Sequence, residues 1–129
     1  MVAFDLSLSN IYPLLSMAFI LGLGILVFFK NFKAFINRLF FMVTIVFGIW
    51  QFGTFMMFIS LNDELITFWD RFIYLGVVFM PAFQYHFSLL VTHSNKTRKI
   101  MLYAAYVLSV FFLFFSRSDY FVSGVYHYK

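Results

Sequence analysis

The stretch FWDRFIYLGVVFMPAFQYHFSLLV, residues 68–91, decides the fold class of this chain. It is long enough to cross a bilayer as a helix, which takes about 20 predominantly apolar residues. An acid and a base, Asp70 and Arg71, stand side by side near its start, and Pro81 interrupts it. The stretch predicts a membrane-spanning helix with polar residues near one end and a kink between Gly76 and Pro81.

The composition of the whole chain agrees with a membrane protein. Of its 129 residues, 64% are hydrophobic and only 11% are charged. A soluble domain needs far more charged surface, so the composition indicates an integral membrane protein with the lipid bilayer as its partner. The chain contains no cysteine, which excludes disulfides and thiolate metal sites.

Three more apolar runs accompany the opening stretch. With it they predict four spans, at about residues 11–29, 39–60, 66–92 and 100–115. We therefore expect an all-α integral membrane fold, an antiparallel bundle of four transmembrane helices in a single domain, residues 1–129. The N-terminal sequence MVAFDLSLSN lacks the basic region of a signal peptide, so the first span is expected to stay in the protein.

The charges of the connectors predict the orientation of the spans. The connectors 30–38 and 93–99 each carry three Lys or Arg residues and no acid, whereas 61–65 carries two acids and no base. Basic residues in short loops favour the cytoplasmic side, so we expect a multi-pass protein of the cell membrane with its N-terminus outside. The same pattern explains the net charge of +4 through topology, and no nucleic-acid partner is expected.

The polar and aromatic residues of the spans form a recognisable order. Asn37-Arg38 and Phe40 begin the second span, and the order continues through Trp50, Trp69, Arg71, Tyr74, Gly76, Phe79, Pro81 and Phe87 to the tail FVSGVYHY at 121–128. In this order and spacing the chain resembles the N-terminal seven-transmembrane sensor region of histidine kinases. The resemblance covers roughly Phe35 to Lys129.

This resemblance implies a function and a larger context. It implies the first four helices of a seven-helix sensor domain, which detects an extracellular or membrane signal for a histidine kinase or a related signalling protein. It further implies a chain that is incomplete at its C-terminus, a homodimer formed through the full-length protein, and kinase activity in a C-terminal part absent from this chain. Two other interpretations stay open, a non-catalytic subunit of a membrane complex and a transporter fragment.

The candidate ligand-binding residues lie in the predicted outer halves of the second and third spans, with Gln51 nine residues from the outer end of its span. They are Trp50, Gln51, Asp70, Arg71 and Tyr74. Arg71 and Tyr74, three residues apart, are expected on one helix face, where Arg71 would attract a carboxylate or phosphate of a small molecule or peptide. Alternatively, Arg71 extends to the membrane surface and acts as an interfacial anchor.

Three further residues of the third span, Gly76, Pro81 and His86, can each be interpreted in two ways. Gly76 and Pro81 predict either a static bend or a hinge that transmits movement along the span. His86 is expected to form a hydrogen bond with a neighbouring helix, assisted by Gln84 or Ser88, or to act as a ligand or proton relay. In the first span, the small residues Gly22, Gly24 and Ala18 are expected to allow close helix approach.

Enzyme chemistry is not expected from this chain. The spans contain no nucleophile paired with a base, so no catalytic residue is assigned. The three histidines fall at different depths of the predicted bundle, which argues against a metal site. No cofactor is expected.

Overall fold

The computed structural model describes residues 8–93 and 98–118, with side chains from residue 11 onward. Over these ranges the chain is helical and contains no strand. Its helices are α1 (Leu8–Lys30), α2 (Phe35–Ile59), α3 (Asp63–Val77), α4 (Met80–Val91) and α5 (Lys99–Ser116).

Four segments of the described chain are long and apolar enough to cross a membrane. They are Ile11–Lys30, Phe35–Ile59, Asp63–Val91 and Lys99–Ser116, the third of which comprises α3 and α4 together. The predicted all-helical membrane fold is confirmed. Few large side chains are buried within it, because a bundle in a bilayer presents apolar side chains to lipid on its outer surface.

The helices pack mainly against their neighbours in the sequence. α2 is central and contacts α1, α3 and α4, while α5 packs against α3 and α4. The connectors between α1 and α2 and between α2 and α3 are short, which makes consecutive helices antiparallel. The C-terminal end of α5 therefore lies at the same end of the bundle as the N-terminal end of α3. We call this end of the bundle the α3 N-terminal end.

Glycines allow α2 to approach both of its neighbours closely. A Cβ atom on Gly24 of α1 would collide with the Thr44 side chain of α2, and one on Gly76 of α3 would collide with the Val46 carbonyl oxygen. Small residues at such crossings bring helix backbones together in membranes. Gly22 has open space where its Cβ would lie. Of the two glycines predicted to allow close approach in α1, Gly24 is therefore the one at the crossing.

The third span begins three residues earlier than the predicted residue 66. Asn62 is the N-cap of α3, and its side-chain oxygen accepts a hydrogen bond of 3.0 Å from the Glu64 backbone N–H. Asp63 and Glu64 occupy the first turn, where negative charge interacts favourably with the helix dipole. These capping interactions extend the helix beyond the apolar run by which the span was predicted.

The third span is interrupted at Val78 and Phe79, between the last residue of α3 and the first of α4. We call these two residues the break. Pro81 has no backbone N–H to donate to the Val77 carbonyl, so the regular helix cannot continue through this turn. The Phe79 N–H bonds to the Gly76 carbonyl at 3.1 Å, a tighter i to i−3 turn. The break thus lies inside the segment, Gly76 to Pro81, in which the sequence predicts a kink.

Candidate functional site

An aromatic cluster joins α3 to α2 at the α3 N-terminal end. The Trp69 ring lies 5.2 Å from the Phe68 ring, 5.4 Å from Phe72 and 5.7 Å from Phe52 of α2, measured between centroids. All three pairs have edge-to-face geometry, which aromatic rings favour. α3 is therefore held on α2 by edge-to-face ring contacts as well as by the close approach at Gly76.

Two arginines share a cavity at this end of the bundle. The cavity has a volume of about 400 Å³ and is lined by Phe68, Arg71, Phe72, Leu75 and Arg117. Arg117 is the C-cap of α5, so the antiparallel arrangement brings it to α3. The Nε atom of Arg71 is buried. Two guanidinium groups beside apolar walls can bind an anionic group and donate paired hydrogen bonds to it.

In the described part of the chain, two of the five predicted ligand-binding residues line cavities, and these are two different cavities. Arg71 lines the cavity with Arg117, whereas Tyr74 lines a second cavity on the α5 side of α3. Three helical steps of about 100° leave roughly 60° between these two side chains, enough to separate them into different cavities. Arg71 and Tyr74 thus line different ones of these two cavities, and their shared ligand site stays a prediction.

The other three predicted residues line neither of these two cavities. Asp70 lies close enough to Tyr74 for an electrostatic interaction. Trp50 is 37% exposed, with its ring 6.2 Å from that of Phe47, and Gln51 is half-buried on α2. A ligand-binding role for these residues stays a prediction.

The second cavity lies between the break and α5, and we call it the break cavity. Its volume is about 370 Å³. It is lined by Tyr74, Val77, Val78, Pro81, Ala82, Ala105, Leu108, Ser109, Phe112 and Ser116. Most of these side chains are apolar, and the smallest of them, Ala82 of α4 and Ala105 of α5, leave room for the cavity.

A hydrogen bond from α5 satisfies a carbonyl of the break. The Ser109 hydroxyl donates to the Val78 carbonyl oxygen at 2.8 Å, and Ser109 is only 5% exposed. Where a proline interrupts a transmembrane helix, the freed carbonyls need donors from neighbouring helices or side chains. Sequence reasoning did not single out Ser109, although a single serine inside the apolar run 100–115 was a usable signal.

A second polar contact joins α4 to α5 beyond the break. His86 Nδ1 and the Tyr106 hydroxyl form a hydrogen bond of 3.0 Å. The predicted hydrogen bond of His86 to a neighbouring helix is confirmed, but its partner is Tyr106, and the Gln84 and Ser88 side chains are exposed. The Phe35 ring of α2 lies 5.6 Å from the imidazole, so His86 sits where three helices meet.

Within residues 8–93 and 98–118 no group of three or more His, Asp or Glu side chains could hold a metal ion.

Comparison with known proteins supplies the family. No curated protein and no solved structure matches the chain. A family model described as the N-terminal 7TM region of histidine kinase matches residues 13–127, which is nearly the whole chain. A region of this kind is a non-catalytic sensor region, and kinase activity lies in other domains. The chain belongs to the family of N-terminal 7TM regions of histidine kinases.

Proposed function

We propose that this chain is the membrane-embedded input part of a signal-transducing histidine kinase or a related signalling protein. In this role it detects an extracellular or membrane signal and relays it along the third span to the cytoplasmic side. The observation that carries the proposal is the family match over residues 13–127. The polar residues inside the bundle fit a sensor, because intramembrane polar groups are costly unless they serve a structural or functional purpose.

The contacts on the two sides of the break support a relay. α3 is fixed to α2 by the Trp69 cluster and by the close approach of Gly76 to Val46. α4 is tied to α5 through His86 and Tyr106. α3 is held mainly on α2, whereas α4 contacts both α2 and α5. Because the two halves of the span have different sets of neighbours, they can change their relative angle at the break. A ligand shifts such an equilibrium when it binds one arrangement more tightly than the other.

The signal is proposed to act at the α3 N-terminal end, through the predicted residues Trp50, Gln51, Asp70, Arg71 and Tyr74. Arg71 would bind the anionic group of a small molecule or peptide, and Arg117 adds a second guanidinium on the same cavity. The kinase would act as a homodimer through the full-length protein, as the family resemblance implies.

Autophosphorylation of the kinase that carries this region tests the proposal. Output measured in membrane vesicles, prepared from cells exposed to envelope stresses and medium components, should respond to at least one condition. Arg71→Ala and Gln51→Ala should lose that response, whereas Arg98→Ala, which alters an exposed arginine at the opposite end of α5, should keep it. A full response in both Arg71→Ala and Gln51→Ala would remove the ligand site. If the kinase output responds in the same way after the whole region is replaced, the sensor role is rejected.

The proposed orientation places the α3 N-terminal end outside the cell. Lys30 ends α1 and Lys99 begins α5 at one end of the bundle, whereas Asp63 and Glu64 begin α3 at the other, which fits the bias of basic residues toward the cytoplasm. Since the chain has no cysteine, single substitutions report position without interference. In intact cells, a membrane-impermeant maleimide should label Leu61→Cys but not Ala34→Cys. The reverse labelling would overturn the orientation.

A further inference from the structure

The break cavity is suited to an apolar occupant. Its walls are mostly aliphatic and aromatic side chains, and Ser109, a hydroxyl at its wall, already donates to the Val78 carbonyl. A ligand rich in hydrogen-bonding groups would find few partners there and would lose its hydration on entry. The lining therefore selects against polar molecules.

The size of the cavity limits the occupant to a small molecule. Its volume of about 370 Å³ lies near the lower bound of ligand pockets, roughly 300–1,000 Å³. An apolar cavity of only about 150 Å³ is already large enough to take up benzene. The break cavity thus has room for one substituted aromatic ring or a short branched alkyl group.

The cavity is open along one edge of the described helices. Leu108 is 54% exposed and Phe112 is 48% exposed, and both line the cavity. A small molecule can therefore enter the cavity past these two side chains. The opposite wall is formed by the break and by Ala82, which is fully buried.

We propose that the break cavity is a binding site for a small apolar molecule, of about the size of a substituted aromatic ring. Such a molecule contacts both the break and α5, so it favours the arrangement in which the cavity is open. Binding itself follows from the geometry, and its effect on signalling rests on the sensor function proposed above.

Photolabelling tests the site directly. The full chain in phosphatidylcholine vesicles is irradiated with 3-trifluoromethyl-3-phenyldiazirine, and the labelled residues are mapped by mass spectrometry. Labelling of Val78 and Leu108 should saturate with probe concentration and fall at least tenfold in the presence of excess benzotrifluoride. Labelling of Val107, which is 68% exposed and does not line the cavity, should rise linearly with the probe and resist competition.

A matched pair of adjacent alanines provides the control. Ala105→Phe fills the cavity and should lower the saturable labelling at least tenfold, whereas Ala104→Phe adds the same ring at an exposed position outside the cavity and should leave it unchanged. Circular dichroism verifies that both variants are folded. If Ala105→Phe does not fold, the wild-type saturation curve decides.

Three outcomes would overturn the proposal in whole or in part. Linear, uncompeted labelling of Val78, like that of Val107, would mean that ordinary lipid chains cover the cavity. Saturable labelling that persists in a folded Ala105→Phe variant would place the site elsewhere. Saturable labelling combined with a kinase output that ignores benzotrifluoride would keep the site but reject its part in signalling, a result separate from failure of the sensor function itself.

Discussion

Replacement of Ser109 with alanine tests how α5 holds the break. The substitution removes one hydroxyl group and leaves the side-chain volume almost unchanged. It deprives the Val78 carbonyl of a donor that lies 2.8 Å away, at a position only 5% exposed. The variant therefore isolates one hydrogen bond at the point where the third span loses its regular helical pairing.

The expected loss of stability follows from the surroundings of the bond. Hydrogen bonds between transmembrane helices contribute about 0.6 kcal/mol on average and up to about 1.7 kcal/mol. The Val78 carbonyl belongs to a proline-interrupted turn, where alternative donors are scarce, so the upper part of this range applies. We expect Ser109→Ala to lower the free energy of unfolding by about 1–1.5 kcal/mol, which is roughly a tenfold change in the unfolding equilibrium.

Equilibrium unfolding in mixed micelles, followed by circular dichroism, measures this difference. Ser116→Ala is the matched control, because Ser116 lies on the same face of α5 and is 3% exposed, but its hydroxyl bonds to the Leu113 carbonyl of its own helix. That variant should lose no more than about 0.5 kcal/mol, since a serine bonded within its own helix adds little to helix stability. Equal losses in the two variants would refute the assigned role of Ser109.

A double-mutant cycle with Pro81→Ala shows whether the bond acts on the break. Alanine at position 81 restores a backbone N–H, which can pair with the Val77 carbonyl and let the helix continue. In that background the Val78 carbonyl can accept a hydrogen bond within the helix. The loss of unfolding free energy caused by Ser109→Ala should then be smaller by at least about 0.5 kcal/mol. Additive effects would show that Ser109 stabilises the bundle without bearing on the break.

The sequence predicted the spans and the break because each depends on local chemistry. The length of an apolar run determines whether a helix can cross the bilayer, and no tertiary information is needed to read it. The proline at position 81 removes a donor wherever the helix lies, so the interruption near Val78 followed from the covalent structure alone. The start of α3 at Asp63 was missed because it depends on capping by Asn62, which hydropathy does not register.

The candidate site was less predictable because it depends on the rotation of α3 and on its neighbours. The three-residue spacing of Arg71 and Tyr74 limits their angular separation but does not decide whether one cavity or two adjoin them. Arg117 and Ser109 became relevant only when α5 was placed against α3 and α4. A tail arginine and a serine in an apolar helix acquire their roles from residues distant in sequence, and no local pattern records those contacts.

α5 contacts the third span on both sides of the break, and this constrains any relay. Tyr106 and Ser109 are three residues apart and lie on one face of α5, where they bond to His86 and to Val78. A movement of α4 relative to α3 must therefore carry α5 with it or disrupt one of these bonds. α4 and α5 are expected to move together relative to α2 and α3, and the contacts between α2 and α4, such as the Phe40–Phe87 ring pair, must then shift as well.

Two further substitutions test this division of the bundle by the same unfolding assay. Gly24→Leu should lower the free energy of unfolding by about 1–3 kcal/mol, because its side chain collides with α2, whereas Gly22→Leu, with open space around it, should be nearly neutral. Equal effects of the two leucines would contradict the close α1–α2 crossing. Tyr106→Phe removes the 3.0 Å bond to His86 and should cost about 0.5–1.5 kcal/mol, whereas Tyr103→Phe, at a side chain 68% exposed, should cost far less. If Tyr106→Phe instead leaves both stability and kinase output unchanged, the His86–Tyr106 hydrogen bond does not couple α4 to α5.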